Sequence, residues 1–181
     1  MGRSAVFLDR DGVLNAAVVV GGLPHPPRTA NDVVAMPDAR DACRSLRLAG
    51  FMLVVVTNQP DLARGTATAV DVEAINRSVR KMVTVDDLRM CPHDDVDDCH
   101  CRKPRPGLLF DAAAEHGIDL SHSWMIGDRW RDVDAGRAAG CRTIFIDRGY
   151  AEPPPATPTR VARSLADAAC FIIAQRLKEA S

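Results

Sequence analysis

The stretch "FMLVVVT" at 51–57 carries no charge and shows no helical spacing. A run that short and that uniformly apolar suits a strand buried on both faces, which obliges the chain to supply covering layers above and below it. Similar runs recur at "AVFLD" (5–9), "SWMIGD" (123–128) and "CRTIFID" (141–147), with a weaker one at "DLRMC" (87–91). Helical patterns lie between them. "PDARDACRSLRLAG" (37–50) opens on Pro37 and Asp38 and stops at Gly50, and "TAVDVEAINRSVRKMV" (68–83) opens on Thr68 as a cap. "PGLLFDAAAEHG" (106–117) and "RDVDAGRAAG" (131–140) end on Gly117 and Gly140, and a last helix is expected over 164–178. This alternation predicts an α/β fold, a mainly parallel sheet with helices on both faces. Residues 16–37, rich in Gly and Pro, are expected to form a loop or short hairpin beside the first strand. Residues 148–160 are expected to form an extended surface linker to the last helix.

The chain has 181 residues, 46% hydrophobic and 26% charged, which suits a single domain over 1–181. A net charge of -1 and 4% aromatics argue against nucleic acid as a partner. No apolar run approaches the ~20 residues of a membrane span, and "MGRSAVFLDR" leads into the first strand pattern with no signal peptide. A cytoplasmic, reducing setting is the expectation, and there clustered Cys point to metal rather than to disulfides. The oligomeric state stays open, a monomer included.

In sheets of this kind ligands bind beyond the carboxyl ends of the strands. There "DRDGVLN" places Asp9 and Asp11 around Arg10, "TNQ" places Thr57, Asn58 and Gln59, and "GDRWRDVDAG" places Asp128, then Asp132 and Asp134. Carboxylates gathered at one edge repel unless a hard cation neutralises them, and Mg²⁺ suits one or two carboxylates, water and a phosphate oxygen. A further carboxylate beside such a centre is placed for proton transfer. Asp132 and Asp134 read equally well as turn formers or helix caps.

"FLDRDGVLN", "VVVTNQ", "CRKPRPG" and "MIGDRWRDVDAG" resemble, in order, the four motifs of haloacid dehalogenase superfamily phosphatases. The branches most resembled are the small heptose-bisphosphate and histidinol-phosphate phosphatases. The resemblance implies a Rossmann-like fold and a mechanism. Asp9 would be the nucleophile that forms an aspartyl-phosphate, and Asp11 would protonate the leaving alcohol and then activate water. Thr57 would hydrogen-bond the phosphoryl group and Lys103 would balance its charge. Asp9, the backbone carbonyl of Asp11, and Asp128 would hold Mg²⁺. The gaps from Asp11 to Asn58 and from Asn58 to Lys103 are too short for a large cap domain, so an open site is expected.

Residues 91–107 read "CPHDDVDDCHCRKPRPG". Cys91, His93, Cys99 and Cys101 make a Cys₃His set suited to a closed, tetrahedral Zn²⁺. The resemblance implies the same, a zinc loop over 91–101. A closed Zn²⁺ site has no free position, so its expected role is to fix the segment leading to Arg102 and Lys103, with His100 turned away. Cys43, Cys141 and Cys170 are expected as small core residues. "TNQPDLARG", Pro106-Gly107 and "GDRWRDVDAG" favour the heptose branch over the histidinol-phosphate branch, and a phosphorylated sugar is the expected substrate. Asn58, Gln59, Arg102 and Arg129 would then contact substrate, and Arg64 is an even choice between substrate contact and solvated loop charge. A non-enzymatic zinc-containing binding module would explain the cysteines but not the carboxylate edge.

Overall fold

The computed structural model describes residues 2–179. The elements run, in chain order, β1 (Ala5–Leu8), β2 (Val18–Val20), β3 (Leu23–His25), α1 (Ala39–Leu48), β4 (Met52–Asn58), α2 (Ala69–Met82) and β5 (Asp87–Cys91). They continue as α3 (Gly107–His116), β6 (Trp124–Gly127), α4 (Trp130–Ala138), β7 (Arg142–Ile146), β8 (Arg160–Ala162) and α5 (Leu165–Glu179). Six strands form one sheet in the order β5-β4-β1-β6-β7-β8. Every pairing in it is parallel.

Side chains alternate across the sheet, and the two faces bury different helices. Val6 and Leu8 of β1 pack with Leu46 of α1, Val79 of α2 and Ile172 of α5. Ala5 and Phe7 pack on the other side with Leu109 of α3 and Ala135 of α4. The continuous apolar runs read as two-sided strands for this reason. Thr68 caps α2 as expected, its hydroxyl accepting from the Asp71 amide. Gly117 ends α3 in the left-handed region that an L side chain disfavours.

The chain departs from its sequence pattern in three places. Residues 148–160 are not wholly a linker: β8 begins at Arg160 and adds an edge strand beside β7. A strand of three residues that follows a proline-rich stretch gives too little periodicity to be seen. Asp38 does not cap α1; its carboxylate instead accepts from the Ala166 amide at the start of α5. Cys43 and Cys141 are buried, but Cys170 is exposed, because α5 turns Ala168, Ala169 and Ile172 inward and position 170 away.

Among the described residues the insert after β1 is the β2–β3 hairpin with a short 3-10 turn, and α2 follows β4, so neither builds a separate cap layer. Helix α4 lies close on the sheet at Gly136, where an added Cβ would come within 2.6 Å of Met125 and 2.7 Å of Thr143 side-chain atoms. Gly136→Val is expected to lower unfolding free energy by about 2 kcal/mol through overpacking. Urea unfolding checks this, and an unchanged midpoint would show that α4 has room to move.

Candidate active site

Strands β4, β1 and β6 are neighbours, so their carboxyl ends bring Thr57, Asp9 and Asp128 to one edge. All three are buried, as are Lys103 and Asp132. Lys103 arrives from the loop after β5. Its Nζ lies 2.7 Å from Asp9 Oδ1, 2.6 Å from Asp132 Oδ1 and 2.7 Å from the Val56 carbonyl. Asn58 at the end of β4 holds the Lys103 backbone at both ends of its amide, donating to the carbonyl and accepting from the N–H.

Asp132 serves two elements. Oδ1 meets Lys103, while Oδ2 accepts from the Arg129 amide and caps α4. The cap and the site are therefore the same residue. Asp134, two positions on, is not among the buried residues. Asp11 sits at the pocket wall, its carboxylate accepting from Arg10, Asn15 and Gln59. Arg10 is fully buried and also donates to Asn76 of α2. Gln59 bridges Asp11 and the Thr57 hydroxyl.

Burial raises the Asp9 pKa to about 6; Lys103 opposes the rise, and Asp132 and Asp11 add to it. Burial pushes Asp128 well above the usual carboxylate range, with Asp9 and Asp132 acting in the same direction. Tyr150 partly offsets this through a 2.8 Å hydrogen bond from its hydroxyl to Asp128 Oδ2. For Lys103, burial works against the ammonium, but Asp132 and Asp9 outweigh it and hold the pKa above its ordinary value. Three carboxylates thus face one ammonium. Asp9, Asp128 and Asp132 present oxygens within 4.8 Å of one another, and Asp128 Oδ1 is buried without a hydrogen-bond partner. An orphaned anionic oxygen in a carboxylate cluster fits a small hard cation. Gly12 makes room for this arrangement: its φ is +85°, and a Cβ there would lie 1.7 Å from Asp128 Oδ2.

The Cys and His side chains expected to bind metal do converge. Cys101 Sγ lies 3.1 Å from Cys91 Sγ, 3.5 Å from Cys99 Sγ and 3.3 Å from His93 Nδ1. Bonds of about 2.3 Å to a tetrahedral ion set ligand atoms about 3.8 Å apart, and the separations here approach that spacing. All six cysteines are free thiols. His100 is outside the cluster, 3.6 Å from Asp111. Arg102 leaves the loop and pairs with Asp95, while also donating to the His93 carbonyl. Arg64 is held by Asp94 on the same loop. Arg129 pairs with Glu152. Arg64, Arg102 and Arg129 line a cavity of about 220 Å³ with Asp9, Asp11 and Lys103. The β2–β3 hairpin supplies part of its wall through Leu23 and His25.

Sequence reasoning missed Arg10, Asn15, Asn76, Tyr150 and Glu152 as supports of the site. A signal existed for two of them: Arg10 is a cation between two carboxylates at a buried strand end, and Tyr150 is the only tyrosine of the chain.

A carboxylate and an ammonium buried together at the strand ends of a parallel sheet match a phosphatase of the haloacid dehalogenase class. The HAD-hydrolase-like family model matches residues 100–168. A D-glycero-beta-D-manno-heptose-1,7-bisphosphate 7-phosphatase of Pseudomonas aeruginosa is 34% identical over 82% of this chain and 84% of its own. The enzyme of that name from Escherichia coli K12 is 35% identical over 90% of each chain. The solved D,D-heptose 1,7-bisphosphate phosphatase of B. bronchiseptica, complexed with magnesium and phosphate, superposes with a TM-score of 0.81 at 31% identity. The superposition covers 95% of this chain and 99% of that one. The chain belongs to the D-glycero-beta-D-manno-heptose-1,7-bisphosphate 7-phosphatase family.

The raised pKa of Asp9 has a consequence for stability. The folded state holds the Asp9 proton more tightly than the unfolded chain, so its contribution is full below 3.8 and is lost as pH rises through about 6. Asp9→Asn is expected to remove that part of the pH dependence in magnesium-free buffer. The check is urea unfolding of both proteins across this window; a constant difference between them would mean an ordinary Asp9.

Proposed function

We propose that this chain hydrolyses the 7-phosphate of D-glycero-β-D-manno-heptose 1,7-bisphosphate through an aspartyl-phosphate. The observation that carries the chemistry is the buried contact of Asp9 with Lys103 beside the unpartnered oxygen of Asp128. The names and coverage of the relatives support the substrate.

In this reading Asp9 and Asp128, with the Asp11 backbone carbonyl, would hold Mg²⁺, which when bound neutralises charge on the phosphoryl oxygens. The Asp9 carboxylate attacks phosphorus while the bond from phosphorus to the sugar oxygen breaks. Asp11 gives its proton to that oxygen. To do so the carboxyl must first be protonated and release one of its donors among Arg10, Asn15 and Gln59. The Asp11 carboxylate then takes a proton from water, the water oxygen attacks phosphorus, and inorganic phosphate leaves with Asp9 restored. Lys103 offsets phosphoryl charge and Thr57 donates its hydroxyl to the phosphoryl group. Asn58 and Gln59, placed as substrate contacts by sequence, act here chiefly by positioning Lys103 and Asp11. Arg102 and Arg129 stand at the cavity wall, where a second phosphate would compete with Asp95 and Glu152 for them. Cys91, His93, Cys99 and Cys101 would hold Zn²⁺ as a structural ion, folding a loop that has little core of its own.

The direct test is Mg²⁺-dependent phosphate release from heptose 1,7-bisphosphate, heptose 7-phosphate and histidinol phosphate. The bisphosphate should have the highest kcat/KM, by about tenfold or more. A preference for histidinol phosphate would overturn the substrate, and no release from any phosphomonoester would overturn the reaction. Asp11→Asn should lose far more rate on a sugar phosphate than on p-nitrophenyl phosphate, whose leaving group needs no proton. Equal losses would remove Asp11 from the acid role.

Cys99→Ser should lower both the melting temperature and kcat, and added Mg²⁺ should restore neither, because the fault lies in the placement of Lys103. Elemental analysis, thermal melting and turnover check this together. A zinc-free wild type as active and as stable as the zinc form would leave the cluster without a structural role.

A further inference from the structure

A cavity larger than the one at Asp9 lies away from it. It is a cleft of about 1170 Å³ where the chain enters β1 and β4, lined at its floor by Ser4 and Met52. Ser4 precedes β1 and Met52 opens β4, the strands whose far ends carry Asp9 and Thr57. The five-residue rise from Met52 to Thr57 puts about 17 Å between cleft and centre.

Charge in the cleft is one-sided. Six lining side chains are Arg or Lys, against two carboxylates, in a chain whose net charge is -1. Both carboxylates are engaged. Asp86 meets Arg47 and accepts from the Leu53 amide, and Asp119 accepts from Ser121 and His122. Arg3, Arg44 and Lys81 have no ion pair among the described residues. Three other cations are pinned in place: Arg47 by Asp86, Arg40 by the Met82 carbonyl, and Arg176 over the Phe51 ring at 4.5 Å.

Fold requirements explain only part of this. Arg47, Lys81 and Arg176 sit in the last turns of α1, α2 and α5, where the helix dipole favours cations. Arg40 sits in the first turn of α1, where the dipole disfavours one. Arg40, Arg44 and Arg47 also follow one another at four- and three-residue spacing on one helix face, and like charges so placed repel. No acidic residue of α1 lines the cleft to relieve them. Beside the cations lies apolar surface, with Leu48 79% exposed at the rim and Phe51 beneath Arg176.

We propose that this cleft is a second, non-catalytic site that binds an oligophosphate chain. A single phosphate accepts from two or three cationic side chains; a row of cations from α1, α2 and α5 matches several linked phosphates. The volume also admits a nucleoside on the apolar side, so both an inorganic oligophosphate and a nucleoside triphosphate carry the required chemistry. The assignment is independent of the sugar substrate.

The test is calorimetric titration of the full chain with tripolyphosphate and with ATP, both in magnesium-free buffer. Wild type, Arg44→Glu/Lys81→Glu and Arg44→Gln/Lys81→Gln are compared. Wild type should bind with a Kd of about 0.1 mM or below, weakening with salt. The glutamate pair should weaken binding by about tenfold or more and the glutamine pair by a smaller factor. Turnover of p-nitrophenyl phosphate should stay within about twofold, since neither residue is near Asp9. Equal affinity for the two ligands assigns recognition to the phosphates alone; tighter ATP binding places the nucleoside against Leu48 and Phe51. Failure of the wild type to bind either ligand at about 1 mM would overturn the proposal. So would affinity unchanged in both variants, which would put the ligand in the catalytic cavity.

Discussion

The ammonium of Lys103, shut away from solvent between Asp9 and Asp132, is the contact on which the rest of the site depends. Burying one charge is costly, and burying several is tolerable only when opposite charges meet at hydrogen-bond distance. Here the account does not balance in the protein alone, since Asp128 adds a third carboxylate to one cation. Burial first, and the neighbouring carboxylates after it, raise the pKa values of Asp9 and Asp128. A site with unrelieved negative charge has free energy to gain from a bound cation.

Much of the remaining architecture serves to put that ammonium in place. The loop from Cys91 to Lys103 has few apolar residues, and Asn58, Asp95 and the thiol cluster fix it to β4 and to itself. From the other side α4 delivers Asp132, whose second oxygen is spent on the helix's own first turn. The result couples three separate segments to one hydrogen-bonding point. Arg10 does the same for Asp11, tying its carboxylate to α2 through Asn76.

The sheet was readable because strands buried on both faces must be apolar throughout, as in Leu53–Val56, while Gly50, Gly117 and Gly140 punctuate the helices. The carboxylate edge was readable because strand ends collect polar residues that the core would not admit. Less was readable where a contact joins distant segments. Tyr150 reaches Asp128 from a stretch without periodicity, and Glu152 reaches Arg129 from the same stretch. The edge strand β8 was hidden for a related reason: three residues, one of them Arg160, do not announce a strand without the partner they pair with. Asp132 looked like a helix cap and is one; its second bond depends on Lys103, which no local pattern reveals. Cys170 looked like core because its helix is apolar nearly all round, and only packing decides which side faces out.

The loop between Cys91 and Cys101 separates folding from recognition. Four thiol and imidazole side chains and local polar contacts shape it, and the residues from Asp94 to Asp98 contribute no buried apolar surface. Yet Asp94 and Asp95 hold Arg64, Arg102 and Arg131 at the mouth of the cavity. Substitutions there leave the apolar core untouched while changing which arginines are free to meet a ligand. The loop is thus a place where the charge at the cavity mouth can change while the sheet and Asp9 stay untouched.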